Sequence, residues 1–92
     1  MGKVKIKVKV FMTLKEPFGW GSRVIELDND PPRFRDLISK VPEIKGAIEK
    51  YKGERWSLII LLNGRRIEFL GGFDSVLEDR DVISIFPPLA GG

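Results

Sequence analysis

Apolar and polar residues alternate at the start of the chain. Over residues 4–10 an apolar side chain occupies every second position and a lysine fills each gap, a period typical of a strand buried on one face. We expect Phe11 and Met12 to extend this strand. Segment 15–22, with one proline and two glycines, predicts a loop. Alternation then returns over 23–27, so the two segments predict an antiparallel hairpin with a long connection.

A helical period follows the hairpin. Asp30 and Pro31 predict a helix start, because a carboxylate accepts orphan amide hydrogens and proline at the first helical position loses no bond. The apolar face of this main helix is predicted from four residues at helical spacing: Phe34, Leu37, Ile38 and Val41. Pro42 interrupts the pattern, and a second, short helix is predicted from Ile44, Ile48 and Tyr51.

The part of the chain after the helices predicts three strands. The dense apolar run 56–62 predicts a central buried strand. Asn63-Gly64 predicts a type I′ turn, which requires positive φ at both residues, leading into a strand over 65–69. Segment 74–81 is turn-like, with Val76 and Leu77 as apolar anchors, and 82–86 predicts the last strand.

This order of elements predicts an α+β fold of the β-grasp, or ubiquitin-like, type. We expect a mixed sheet with one main helix and a short second helix on one face. The helix-containing connection permits the last strand to lie parallel to the first. Residues 1–86 are predicted to form this single domain, and residues 87–92 an extended flexible tail ending in Gly-Gly.

Composition narrows the function more than length does. The 92 residues include no His and no Cys, which removes histidine-based triads, cysteine nucleophiles, disulfides and thiolate or imidazole metal sites. A substrate, carrier or binding module is favoured over an enzyme. The start of the chain has no apolar signal-peptide core and no run approaches a membrane span, so we expect a cytoplasmic protein.

The net charge of +3 has a local origin. Four lysines and no acid lie in the first ten residues, which leaves 12 of the 16 basic residues and all 13 acidic residues for the rest. We interpret the lysines as a solvated strand face, more readily than as a nucleic-acid site, which usually interleaves a basic patch with aromatics. Asp79 and Asp81 are interpreted as turn caps and not as a metal site.

The C-terminal residues combine a stiff base with a thin end. Pro87-Pro88 favours an extended exit from the sheet, and at ~3.1 Å per residue segment 87–92 reaches roughly 18 Å. Gly91 and Gly92 carry no Cβ and fit a narrow channel. If ATP adenylates the Gly92 carboxylate, a sulfur nucleophile gives a thiocarboxylate, whereas an amine gives an isopeptide bond.

Three segments carry a family resemblance: Leu62-Asn63-Gly64, residues 77–82 (LEDRDV) and the terminal IFPPLAGG. Together they resemble the MoaD/ThiS family of sulfur carriers, and the double proline favours its MoaD-type members, the small subunits of molybdopterin synthase. The sequence departs from the family at Arg80, where the family has glycine, and in the loop 17–22, which is richer in glycine and aromatics.

The resemblance implies a site and a set of partners. A MoeB-like adenylyltransferase would activate Gly92 with ATP, a sulfur donor would load it, and the tail would insert into a MoaE-like large subunit to build the dithiolene that holds molybdenum or tungsten. The chain itself would bind no metal or cofactor, no nucleic acid and no membrane. The residues expected to enter the partner are Pro87, Pro88, Leu89, Ala90 and Gly91.

Phe86 is the candidate for a partner-docking surface. If Ile83 and Ile85 point inward, Phe86 points to the opposite face, where we expect it to join Val24 and either Ile59 or Leu61. Three alternatives to the molybdopterin role stay open. The first is a ubiquitin-like modifier joined to lysines through Gly92, and the second is a sulfur carrier for tRNA thiolation or thiamine. The third is a plain β-grasp interaction domain, for which nucleic-acid binding through the lysines is one option.

Overall fold

A five-stranded mixed sheet with its helices on one face forms the body of the protein in the computed structural model, which describes residues 3–52 and 58–88. The strands are β1 (Val4–Val10), β2 (Ser22–Leu27), β3 (Ile59–Leu62), β4 (Arg65–Arg66) and β5 (Val82–Phe86). The α-helices are α1 (Lys15–Phe18), α2 (Phe34–Lys40) and α3 (Pro42–Lys50), and short 3-10 turns cover Met12–Leu14, Ile67–Leu70 and Gly72–Asp74.

The sheet has the strand order β2-β1-β5-β3-β4. Strand β1 pairs antiparallel with β2 and parallel with β5, and β5 pairs antiparallel with β3. The predicted hairpin and the predicted parallel pairing of the first and last strands are both confirmed. The parallel pair is possible because the chain crosses the sheet through helices between β2 and β3.

The connection between β1 and β2 differs from the prediction. Strand β1 ends at Val10, and Met12, with φ of 59°, turns the chain into a 3-10 turn. The turn and the single helical turn α1 bring Leu14 and Phe18 into the core, and Gly19 ends α1 in the left-handed conformation. The predicted extension of the strand is therefore wrong at Met12, because burial of these two side chains requires the chain to bend inward.

Helix α2 begins at Phe34, later than the predicted start at Asp30. The Asp36 carboxylate accepts a hydrogen bond from the backbone N–H of Arg33 at 2.8 Å and so caps the first turn. Pro32 is held in an extended segment, since its carbonyl accepts the Leu77 N–H at 2.8 Å. This long-range contact delays the helix. The predicted second helix, α3, is confirmed and begins at Pro42. It has 9 residues and α2 has 7, so the prediction of a longer first helix and a short second one is wrong.

Of the strands after the helices, β5 spans the predicted residues 82–86, whereas β4 is shorter than predicted. Strand β3 lies between β5 and β4, so the central strand of the sheet is β5 and not β3 as predicted. Asn63 and Gly64 both have positive φ, 51° and 86°, which confirms the type I′ turn. Strand β4 ends at Arg66, because a 3-10 turn then buries Ile67. The part of the predicted strand before Leu58, including Trp56, lies outside the described residues.

The core lies between the sheet and α2 and α3. Alternate residues of β1 and β5 supply its sheet side, and the predicted apolar faces of the helices cover them. Its most deeply buried large side chains are Ile6, Val8, Val10, Leu27, Phe34, Leu37, Val41, Ile44, Leu77, Ile83 and Ile85. Within the described ranges, every helix is too short or too polar to cross a bilayer.

Candidate functional site at the carboxyl end of the last strand

Phe86, the last residue of β5, lies on the sheet face that the helices leave open. Ile83 and Ile85 are buried on the helix side, so the alternation of the strand turns Phe86 outward as predicted. Its ring stacks on Phe11, with centroids 4.3 Å apart and planes at 8°. Ile59 of β3 pairs with Phe86 in register. We call Phe11, Ile59 and Phe86 the aromatic patch.

Two details of the predicted surroundings of Phe86 need correction. Val24 is 61% exposed, but it lies level with Val82 of β5, because both residues flank Lys7. Val82 precedes Phe86 by four residues, which is about 13 Å along the strand. Phe11 takes the place expected for Val24. Its backbone N–H donates to the Ile85 carbonyl at 3.1 Å, which continues the β1–β5 pairing for one residue. Phe11 occupies the next position in the alternation after Lys5, Lys7 and Lys9, so the sequence pattern already predicted that its side chain points outward.

The chain leaves the sheet at two prolines. Pro87 is buried and Pro88 is half-buried, so the base of the predicted tail is anchored against the body of the molecule. A proline has no N–H to continue the ladder, which ends β5 at this point. Leu89, Ala90, Gly91 and Gly92 lie outside the described residues, and the predictions made for them stay predictions.

The Asn-Gly turn and the LEDRDV turn form one hydrogen-bonded unit. Asn63 donates from Nδ2 to Asp81 Oδ1 at 2.9 Å and accepts from the Val82 N–H at Oδ1, also at 2.9 Å. The other carboxylate oxygen of Asp81 accepts the Glu78 N–H at 2.7 Å. The sequence alone does not connect the two motifs, because their contact exists only once β3 and β5 pair.

Asp79 and Arg80 complete the same turn. The Asp79 carboxylate accepts the backbone N–H of Lys5 at 2.8 Å, and the Arg80 N–H donates to the Lys5 carbonyl at 2.8 Å. Arg80 has φ of 73°, a region that favours glycine. The interpretation as a turn cap is confirmed for Asp81, whereas the Asp79 carboxylate binds the backbone of β1 instead. Among the residues with described positions, no group of acidic side chains has the geometry of a metal site.

These turns lie at the amino end of β5, and the tail begins at its carboxyl end. The polar unit fixes the start of β5 against β1 through Lys5 and against β3 through Asn63. Because the register of β5 is fixed at its amino end, Phe86 at its carboxyl end lies against Phe11. The Asn-Gly and LEDRDV motifs therefore fix the strand from whose end the tail leaves.

On the β4 side of the sheet, Arg66 and Glu68 form an exposed ion pair. Arg65 and Arg66 are exposed, and Arg66 Nη2 lies 3.0 Å from Glu68 Oε2. The pKa of the Glu68 carboxyl is lowered, first by a hydrogen bond from its own backbone N–H and further by Arg66. Glu68 therefore stays ionised at neutral pH and neutralises Arg66.

The fold and the site together define a β-grasp, ubiquitin-like protein whose last strand runs out beside an apolar surface. A model of the ThiS family matches residues 8–92. Because this match covers most of the chain, the chain belongs to the ThiS family. The predicted likeness to the MoaD/ThiS sulfur carriers is confirmed, and this small-carrier fold is not in itself that of a catalytic enzyme.

Relatives of two kinds resemble the chain over nearly its whole length. Small archaeal modifier protein 3 of Haloferax volcanii is 28% identical, over 97% of this chain and 100% of the relative. The solution structure of small archaeal modifier protein 1 from Methanosarcina acetivorans has a TM-score of 0.71 and 31% identity, with 100% of both chains covered. The second kind is represented by a structure of the complex of subunits 1 and 2 of the molybdopterin-converting factor from Helicobacter pylori 26695. It has a TM-score of 0.64 and 25% identity, with 97% of this chain and 100% of that chain covered.

Proposed function

We propose that the chain is a sulfur carrier that works through its C-terminal Gly92 as the small subunit of a cytoplasmic molybdopterin synthase. The observation that supports this most is the end of β5, where the aromatic patch lies beside the anchored Pro87. A partner that packs on the patch would have the start of the tail within reach. Family membership supplies the chemistry that this placement would serve.

The proposed chemistry takes place on the terminal carboxylate. A carboxylate oxygen of Gly92 attacks the α-phosphorus of ATP, so that an acyl adenylate forms and pyrophosphate leaves. A sulfide equivalent from a sulfur donor then attacks the carbonyl carbon, AMP leaves, and a thiocarboxylate results. The groups that catalyse both steps would belong to a MoeB-like adenylyltransferase, which agrees with a chain that has no His and no Cys.

A second subunit would receive the loaded tail. The Helicobacter pylori structure is a complex of two subunits of the molybdopterin-converting factor, and we propose that this chain pairs in the same way with a MoaE-like large subunit. Phe86 would pack at that interface, and residues 87–91 would enter the large subunit. The sulfur would then pass to a pterin precursor.

The relatives also support a second candidate function, that of a protein modifier. Both archaeal relatives are small archaeal modifier proteins. The same adenylate would then be attacked by a lysine amine of a target protein, AMP would leave, and an isopeptide bond to Gly92 would form. The two functions share activation and differ only in the nucleophile.

Intact mass spectrometry separates these functions. The purified chain is incubated with ATP, sulfide and the adenylyltransferase from the same genome. A mass gain of one oxygen-to-sulfur exchange, absent without ATP, supports the carrier. Addition of the large subunit and a pterin precursor should return the mass to its starting value.

The modifier is tested in cell extract. Higher-mass species in which lysine carries a Gly-Gly remnant after proteolysis support it. If the chain neither gains sulfur nor forms conjugates, both proposals fail, and a plain interaction domain remains.

A further inference from the structure

A row of three lysines crosses the open face of the sheet. Lys5, Lys7 and Lys9 alternate along β1 with residues buried in the core, so their side chains point away from the helices. Successive members are about 7 Å apart at the rise of a strand. This spacing is below the screening length of ~8 Å at physiological ionic strength, so their potentials add. We call these three residues the lysine row.

The strands on either side of the lysine row provide little compensating charge. Lys7 lies between Val24 of β2 and Val82 of β5, and Lys9 lies between two serines, one on each neighbouring strand. Glu26, opposite Lys5, has its carboxylate 3.7 Å from Lys3.

No ion pair of 4.0 Å or less between residues of the described ranges involves the lysine row. Opposite charges on neighbouring strands stabilise a sheet, and beside this row the carboxyl groups of Glu26 and Asp79 both lie at its Lys5 end. On the β4 side, Arg66 is neutralised by Glu68. The positive potential of this face is therefore concentrated on β1.

The lysine row leads directly to the aromatic patch. Phe11 is the next outward residue after Lys9, and it stacks on Phe86. From Lys5 to Phe11 the surface extends for about 20 Å along β1. One continuous surface thus runs from a positive row to an apolar end at the residue that precedes Pro87.

We propose that the lysine row receives an acidic protein surface on the enzyme that activates the tail. This inference rests on the proposed function, which requires such an enzyme. Charge would draw the two proteins together and orient them, so that the aromatic patch makes contact and Pro87 faces the enzyme. Complementary charge of this kind acts mainly on the association rate, which then falls with salt.

A protein surface fits the observations better than a nucleic acid. Sites for single strands interleave cations with aromatic rings whose faces are open for base stacking. Here Phe11 and Phe86 stack on each other and are both half-buried. The lysines meet an apolar contact surface at one end, an arrangement typical of a protein interface with a charged rim.

Stopped-flow association with the adenylyltransferase of the same genome tests this inference. The association rate of the full chain is measured from low to high NaCl for three proteins. They are the wild type, the double variant Lys7→Gln/Lys9→Gln, and the matched control Lys40→Gln/Lys45→Gln. The control removes the same charge from exposed lysines of α2 and α3, on the other side of the molecule.

We expect the lysine-row variant to associate about 3- to 10-fold more slowly at low salt and to show a flatter salt dependence. The control should match the wild type, and the dissociation rate should be unchanged in both variants. Equal association rates for all three proteins would overturn the inference. So would binding of a 20-nucleotide single strand that is lost only in the lysine-row variant, with enzyme association unaffected.

Adenylation is recorded separately, by pyrophosphate release. Salt-dependent association without pyrophosphate release would overturn the proposed function and support the charge-guided contact. Normal pyrophosphate release with identical association rates for all three proteins would support the proposed function and overturn the charge-guided contact. Circular dichroism spectra of both variants check that the sheet is intact.

Discussion

Arg80 shows how a single residue can carry a conformation that the fold requires. Its φ of 73° lies in the left-handed region, and the turn keeps this conformation because the Arg80 N–H must reach the Lys5 carbonyl. A glycine at this position would adopt the same φ without steric cost. In this chain the arginine carries that cost, and its N–H reaches Lys5.

Replacement of Arg80 by glycine is expected to stabilise the protein. The strain of a left-handed arginine exceeds the extra chain entropy of glycine, and the net gain is about 0.5–1 kcal/mol. Urea denaturation measures it. Arg80→Ala is the control, since alanine removes the side chain and keeps the strain; an equal gain in Arg80→Ala would assign the effect to the charge of Arg80 and not to its φ.

Asp81 is the second residue whose role is local and testable. Its two carboxylate oxygens accept from Asn63 and from the Glu78 N–H. Asp81→Ala is expected to destabilise the protein by about 1–3 kcal/mol, because the donors lose their partner. In a double-mutant cycle with Asn63→Ala, thermal or urea unfolding should give a coupling energy of about 0.5–1.5 kcal/mol. Additive effects would show that the two turns are independent.

At the scale of elements, β5 connects the polar turns to the apolar exit. It is paired on both sides, parallel with β1 and antiparallel with β3, so its register is fixed by two neighbours. A slip by one residue would turn Phe86 inward and expose Ile85. The position of the aromatic patch is thus a property of the sheet and not of Phe86 alone.

The aromatic patch is expected to be a contact surface for the large subunit. Phe86→Asp places a charge in that contact and should weaken binding by at least about tenfold, as for a central interface residue. Titration calorimetry with the MoaE-like subunit measures this. The matched control is Phe69→Asp, at a phenylalanine that is 81% exposed after β4. An unchanged dissociation constant in Phe86→Asp, or an equal loss in Phe69→Asp, would remove Phe86 from the interface.

At the scale of the whole molecule, the packed body of the protein fixes the position at which the chain leaves the sheet. The core is closed by the sheet and α2 and α3, and Pro87 is buried against it. The polar turns hold the start of β5, and the aromatic patch and the lysine row lie together on the open face of the sheet.

A tag at each end of the chain tests where the working group lies. A short C-terminal extension should abolish sulfur loading, because it removes the free Gly92 carboxylate, whereas the same extension before Met1 should leave loading intact. Both proteins should unfold at the temperature of the untagged chain. Intact mass reports loading, and sulfur transfer to the C-terminally tagged chain would contradict the proposed site.

The sequence by itself determined the strands and helices whose pattern is dictated by nearby residues. Alternation along β1 and β5, the Asn63-Gly64 turn and the helical spacing of Phe34 and Leu37 are local properties, since each follows from backbone geometry and from burial of one face. The tail motif also pointed to the family that the comparisons show.

The tertiary structure decided the features that depend on distant contacts. It moved the start of α2 to Phe34, because Pro32 is bound by Leu77, and it shortened β4 so that Ile67 could be buried. It also replaced Val24 by Phe11 as the neighbour of Phe86, since a parallel register is set by the whole sheet and by no local signal. Local backbone preferences and burial patterns determined which segments form strands and helices, and long-range strand pairing determined which of their residues come into contact.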